Sequence, residues 1–140
     1  MGEIMKRGTV KAIAVHGLVF AALLSGCAGL GTDRPAEEVV RDRAQAWADA
    51  LLEDDLEGAY RYTSPSYRSY ASAGTYHARV QGTSRWDKAE VQTVECATER
   101  LCEVTLLLEY PGLRGEGTVR RSRSYKWVES QGRWWIYVAP

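Results

Sequence analysis

The chain has 140 residues, which is the size of one domain. Its apolar share of 45% and charged share of 26% are ordinary for a globular protein, and they exclude a wholly disordered or collagen-like chain. Eighteen basic residues balance eighteen acidic residues, so the net charge of zero argues against a nucleic-acid partner.

The first 26 residues are typical of a secretory signal peptide. Lys6, Arg7 and Lys11 form a basic start, and residues 12–24 then carry no charge when His16 is neutral. A transmembrane helix needs about 20 apolar residues, so this run is too short to span a bilayer. A buried N-terminal helix is the alternative, but the basic flank and the small residues that follow favour export and cleavage.

The end of this segment, Leu24-Ser25-Gly26-Cys27, resembles the lipobox of bacterial lipoproteins. The resemblance implies cleavage before Cys27, transfer of a diacylglycerol to its thiol and acylation of its new amine. Several acyl chains anchor a protein durably, at about 0.8 kcal/mol per buried methylene. Ala28 follows the cysteine, and a residue of this kind at that position resembles the pattern of lipoproteins that are sorted to the outer membrane. We therefore expect a lipid-anchored protein of the bacterial cell envelope that faces the periplasm.

Removal of residues 1–26 leaves a mature chain of 114 residues. Residues 1–26 contain three basic residues and one acidic residue, so the net charge of the mature chain is about −2. We expect the lipidated cysteine and a flexible tether over residues 27–34, followed by one domain over residues 35–140.

Two cysteines remain besides the lipidated one. Cys96 and Cys102 would sit opposite each other in a hairpin with a five-residue loop, within disulfide reach. Export to an oxidising compartment favours the disulfide, with two free thiols as the alternative.

The segment after the tether predicts three helices. Pro35 suits a first helical turn, and a helix over 35–53 follows from apolar residues at helical spacing, namely Val40, Ala44, Trp47 and Leu51. Short helices are predicted over 56–62 and over 66–71, the second after Ser64 as a cap and Pro65. Residues 74–82 fit either a helical turn or a short strand.

The pattern changes to a period of two near residue 90. Strands are predicted over 90–96, 101–110, 118–129 and 133–139, separated in the second half by turn signals. Consecutive strands with short connections predict an antiparallel meander. Helices followed by such a sheet make the expected fold class α+β, with the helices packed on one face.

This order of elements resembles the NTF2-like (SnoaL-like, cystatin-like α+β) superfamily. The resemblance covers residues 35–140 and rests on the first helix with Trp47, on residues 55–67 and on the closing segment 132–137. It implies a cone, in which helices close over a curved antiparallel sheet and leave a cavity at the wide end. It implies no single function, because the superfamily includes isomerases, dehydratases and non-catalytic binding domains.

The side chains expected around such a cavity are aromatic and basic. Arg121 and Arg123 alternate with apolar and aromatic residues on one strand face, and guanidinium groups bind carboxylate or phosphate. The predicted pocket comprises Trp47, Tyr60, Tyr67, Arg121, Arg123, Tyr125 and Trp127. In the alternative interpretation both arginines are solvated, or paired across strands with Glu116 or Glu103.

Trp134 and Trp135 are neighbours on the last predicted strand, so one should point inward and the other outward. An outward tryptophan is a candidate interface residue, and packing at the sheet edge is the alternative. The partners we expect are the membrane, through the lipid, and an envelope protein or a small anionic ligand. A homodimer through the outer face of the sheet is a further expectation.

No catalytic motif stands out in the chain. His77 is the only histidine of the mature chain and has no orienting partner nearby in sequence. Together with two cysteines it supplies too few ligands for a zinc site. We expect no metal, no cofactor and a non-catalytic lipoprotein that binds a protein partner or a small ligand. The alternative is a cone-cavity enzyme of the ketosteroid-isomerase-like isomerase or dehydratase kind, with tyrosines and Asp87 or Glu109 as its carboxylate.

Overall fold

Helices precede strands in the computed structural model, which describes residues 34–80 and 85–139. The helices within these ranges are α1 (Ala36–Leu52), α2 (Leu56–Tyr60), α3 (Pro65–Tyr70) and α4 (Ala73–Val80). The three predicted helices are confirmed, and residues 73–80 are helical rather than extended. The signal peptide, the lipobox and most of the tether lie outside the described residues. No described helix combines the length and the apolar character needed to cross a bilayer.

Side-chain caps explain where the short helices begin. Asp55 accepts a hydrogen bond from the Gly58 amide at 2.8 Å at the start of α2. Ser64 accepts one from the Tyr67 amide at 3.1 Å, and Pro65 occupies the first turn of α3. These two caps therefore fix the residues at which α2 and α3 begin.

The sheet has four antiparallel strands in the order β1-β2-β3-β4. They are β1 (Lys88–Thr98), β2 (Leu101–Pro111), β3 (Thr118–Ser130) and β4 (Arg133–Ile136). The predicted meander and the α+β fold class are confirmed. β4 is shorter than the predicted 133–139, and beyond Ile136 a hydrogen bond from the Tyr137 amide to the Lys126 carbonyl at 2.8 Å holds the chain to β3.

One face of the sheet, called the inner face here, packs against the helices. Alternate β2 residues from Cys102 to Leu108 are at most 4% exposed and join the α1 side chains in one core. Two tryptophans, Trp47 of α1 and Trp127 of β3, lie 6.4 Å apart by ring centroids within this core. Burial of this apolar surface is what holds the helices on the sheet.

Side chains of α1 also fix both edges of the sheet. Gln45 donates to the Ala89 carbonyl at 2.9 Å and accepts from the Val91 amide at 3.0 Å, so its amide takes the place of a neighbouring strand beside β1. At the other edge, Arg43 donates to the Trp134 carbonyl at 2.8 Å. These bonds satisfy edge groups that would otherwise be open to another chain.

Candidate functional site

A pocket of about 700 Å³ lies where the end of α4, the residues before β1 and the β2–β3 connection meet. Four arginines line it, namely Arg79, Arg85, Arg121 and Arg123. Its volume is that of an ordinary small-molecule site. We call it the arginine pocket.

The register of β2 and β3 places two of these arginines. Arg121 pairs with Leu108 and Arg123 with Leu106, and directly opposed residues of antiparallel strands point to the same face. Both arginines therefore lie on the inner face, as the predicted pocket requires, but at an end where they remain exposed. Arg79 reaches the pocket from α4, where it also donates to the Ala139 carbonyl at 2.7 Å.

The positive charge of this pocket is not balanced by its walls. None of its described lining residues is acidic, and within the described part of the chain Arg85, Arg121 and Arg123 form no salt bridge. The pairing with Glu116 or Glu103 is therefore absent there, and Arg121 and Arg123 are exposed. Glu103 faces Lys126 across the strands instead.

Two other arginines of the sheet region do have carboxylate partners. Arg120, the neighbour of Arg121, points to the outer face and contacts Glu109 at 2.9 Å. Arg100 contacts Glu129 at 3.0 Å. What distinguishes the arginine pocket is that four arginines meet in one concavity whose described lining residues include no acid.

The remaining pocket wall is apolar and aromatic. Its members are Val80, Trp86, Leu108, Tyr110, Pro111, Leu113 and Val119, with Ser122 as a neutral polar residue. Leu113 sits on a short 3-10 turn over Leu113–Gly115 and is 89% exposed, so it stands at the rim. The pocket therefore combines a basic side with an apolar side.

The aromatic residues predicted to line the pocket lie elsewhere, which corrects that part of the prediction. None of Trp47, Tyr60, Tyr67, Tyr125 and Trp127 lines the arginine pocket. They fill the interior of the fold, where Trp47 packs on Tyr125 at 4.9 Å between ring centroids. Large side chains from the helices and the sheet pack together there, so the apolar surface of these rings is buried in the core.

Tyr125 connects this core with the pocket. Burial raises the pKa of its hydroxyl, and a hydrogen bond with Arg123 opposes that shift.

Neither predicted interface tryptophan is exposed. Trp134 is 7% exposed and belongs to the core, whereas Trp135 points to the other face and is still only 6% exposed. The guanidinium carbons of Arg43 and Arg68 lie 5.6 and 5.2 Å from the Trp135 ring centroid and cover it. The alternation was predicted correctly, but the inference that the outward ring is free for a partner is not supported.

These stacked arginines border a second cleft, of about 670 Å³. Arg61 and Arg133 also line it, together with three acidic residues, Asp49, Glu53 and Asp55. Arg61 lies 4.0 Å from Asp55, and partial burial lowers the pKa of Arg43. Because acids accompany its arginines, this cleft has less net charge than the arginine pocket.

The groups considered for acid–base chemistry do not converge. Asp87 is exposed, Glu109 pairs with Arg120 on the outer face, and no carboxylate is buried among the described residues. His77 packs beside Tyr76, and its buried Nε2 has no hydrogen-bond partner in the described structure. The described residues also contain no cluster of three potential metal ligands.

The two cysteines of the domain face each other across β1 and β2. Cys96 pairs with Cys102 in the strand register, their Cα atoms are 3.9 Å apart, and their sulfur atoms lie at bonding distance. Cys27 lies outside the described residues.

Sequence reasoning missed the residues that complete the arginine pocket, above all Arg79, Arg85 and Trp86. Arg79 lies at the end of α4, and Arg85 and Trp86 lie just before β1. All three are about 35 to 45 residues before Arg121 and Arg123 in the sequence. No periodic pattern links segments so far apart, so only the folded topology shows that they meet.

No protein-family profile matches this chain, and no curated protein sequence is similar enough to count as a relative. Among solved structures it is similar to a SEC-C motif-containing protein from Psychrobacter arcticus, with a TM-score of 0.55 and 12% identity over 91% of this chain and 74% of that one. A SEC-C motif-containing protein from Rhodopseudomonas palustris gives a TM-score of 0.42 and 16% identity, over 70% of this chain and 71% of that one. The first likeness bears on the fold alone.

Proposed function

We propose that this chain is a lipid-anchored, non-catalytic protein of the bacterial envelope whose NTF2-like domain binds a small anionic ligand. The observation that carries the binding activity is the arginine pocket, with four guanidinium groups and no carboxylate among its described lining residues. Guanidinium groups bind carboxylate and phosphate through paired, charge-assisted hydrogen bonds.

Electrostatics supports an anion rather than a neutral ligand. Like charges gathered around a concave surface raise the local positive potential, and an anion entering there relieves their repulsion. Arg121 has no salt-bridge partner among the described residues, while its neighbour Arg120 has Glu109 at 2.9 Å. The same strand thus carries one neutralised arginine, Arg120, and two exposed arginines, Arg121 and Arg123.

A small ligand is favoured over a protein partner. The tryptophans that could have formed an interface are buried, and the outer sheet face carries polar cross-strand pairs such as Glu103 with Lys126 and Thr105 with Ser124. Such polar pairs interrupt the apolar surface that the outer face could offer to a large interface.

Two features support the NTF2-like assignment. Four helices pack on the inner face of a four-stranded meander, and the pocket opens between the end of α4 and the ends of β2 and β3 that lie at the β2–β3 connection. Such an arrangement supports the cone that the resemblance implies.

The lipid anchor is tested at Cys27. Cys27→Ala removes the thiol that would take the diacylglycerol, so we expect an unprocessed chain that incorporates no radiolabelled palmitate in cells. Cys96→Ser, which keeps the lipobox, is the control and should mature normally. Normal maturation and labelling of Cys27→Ala would overturn the lipoprotein proposal.

Anion binding is tested with inorganic phosphate on the mature lipidated chain in phosphatidylcholine nanodiscs. Arg121→Gln should weaken phosphate binding by about tenfold or more, because a hydrogen bond to a charged group is worth roughly 1.5–3 kcal/mol. Arg120→Gln, one residue away but on the outer face, should bind phosphate like the wild type. No measurable phosphate binding by the wild type, or equal losses in both variants, would refute the proposed site.

A further inference from the structure

The arginine pocket has two chemically different sides. Arg121 and Arg123 project from β3, whereas Trp86, Tyr110 and Leu113 belong to the segment before β1, the end of β2 and the turn after it. A free inorganic anion would use the guanidinium groups and leave the aromatic and aliphatic wall in contact with water.

The rim continues the apolar side to the surface. Leu113 is 89% exposed, the highest exposure among the large hydrophobic side chains that stand out from the described surface. A hydrogen bond from the Gly112 amide to the Gly117 carbonyl at 2.9 Å closes the loop that presents it. A β-carbon at Gly112 would lie 2.3 Å from the Glu116 carbonyl oxygen, so this tight loop requires glycine there. This loop thus holds an apolar side chain in water beside four arginines that have no carboxylate among the described pocket residues.

We infer that the ligand is an anionic amphiphile, with a phosphate or carboxylate headgroup on the arginines and an apolar body along Trp86, Tyr110 and Leu113. This inference rests on the proposed function and adds the chemical class of the ligand. The volume of about 700 Å³ exceeds what a lone phosphate needs and accommodates a chain or ring as well.

Such a ligand gains affinity from both sides of the pocket, through its headgroup on the arginines and through its apolar body on the aromatic and aliphatic wall. Each methylene removed from water is worth about fourfold in affinity. Soluble phosphate esters and membrane phospholipids share this chemistry, and the anchored position of the domain would give it access to both.

The test compares hexyl phosphate with inorganic phosphate on the mature lipidated chain in phosphatidylcholine nanodiscs. Hexyl phosphate should bind at least about tenfold more tightly than inorganic phosphate, with hexanol showing no comparable binding. Leu113→Ser should reduce the affinity for hexyl phosphate several-fold and leave that for inorganic phosphate unchanged. Tyr70→Ser, which removes an aromatic side chain that is 62% exposed on α3, is the matched control and should change neither.

Amphiphile binding and anion binding predict different results in this test. Equal affinities for the two phosphates would overturn the amphiphile inference and leave anion binding intact. Absence of binding by either would overturn the proposed function itself. Competition by phosphatidic acid placed in the nanodisc would support the inference with a bilayer lipid as ligand, and retained hexyl phosphate binding without competition would support it with a soluble amphiphile.

Discussion

At the scale of single residues, two buried tyrosines differ in one hydrogen bond. Tyr76 is 1% exposed, and its hydroxyl accepts from Trp47 Nε1 at 2.8 Å, which ties α4 to α1. Tyr67 is 3% exposed, and its hydroxyl has no partner in the described structure. Burial raises the pKa of Tyr76 to about 12, with the Trp47 bond acting in the opposite direction. The two hydroxyls therefore contribute different amounts to the free energy of unfolding.

Replacing each tyrosine by phenylalanine should show that difference. Tyr76→Phe leaves the indole donor of Trp47 buried without an acceptor, so we expect the free energy of unfolding to fall by about 1–3 kcal/mol. Tyr67→Phe removes a hydroxyl that has no partner among the described residues, so the free energy of unfolding should change by less than about 0.5 kcal/mol or rise. Urea denaturation of both variants measures the two values, and equal losses would contradict the assigned hydrogen bond.

Residue-level prediction from the sequence succeeded where alternation along one strand decides the outcome. Arg121 and Arg123 share the inner face as their spacing predicts. The aromatic part of the predicted pocket failed because the same alternation cannot tell a lining ring from one that fills the core. Trp127 is fully buried, whereas Arg123 on the same face is exposed.

At the scale of elements, the β1–β2 hairpin is the structural unit that the cysteines join. Cys102 is fully buried on the inner face and Cys96 is half-buried opposite it, near the turn. A cross-link here closes a short loop and stabilises the hairpin mainly by restricting the unfolded chain, by about 2 kcal/mol in the chain-entropy description.

Cys96→Ser tests that cross-link. We expect a melting temperature several degrees below that of the wild type without reductant, because the loop restraint is lost. With dithiothreitol present, the two proteins should melt close together. Equal melting without reductant would contradict a disulfide between these cysteines.

Helix and strand positions were largely predictable because local signals set them. Ser64 and Pro65 begin α3, and the change of period marks the sheet. The burial of Trp135 was not predictable, because it depends on Arg43 and Arg68 reaching over it from two helices. Contacts between elements distant in sequence leave no periodic signal.

At the scale of the whole molecule, charge is distributed unevenly although the full chain is neutral. Arg100 and Arg120 are paired with carboxylates on the sheet, and acids accompany the arginines of the second cleft. The arginine pocket keeps its charge because no acidic residue lines its described wall. Composition excluded a basic protein, and only the fold shows that a basic site exists.

The central claim is that this pocket binds anions through its own arginines, and the arginine side-chain Nε–H spectrum tests it most directly. Phosphate is titrated into the ¹⁵N-labelled mature chain in phosphatidylcholine nanodiscs, with signals assigned by single Arg→Lys variants. We predict saturable shifts for Arg121 and Arg123 and unchanged signals for Arg100 and Arg120, which already have carboxylate partners. Absence of saturable shifts at Arg121 and Arg123, or equal shifts at all four, would contradict the account.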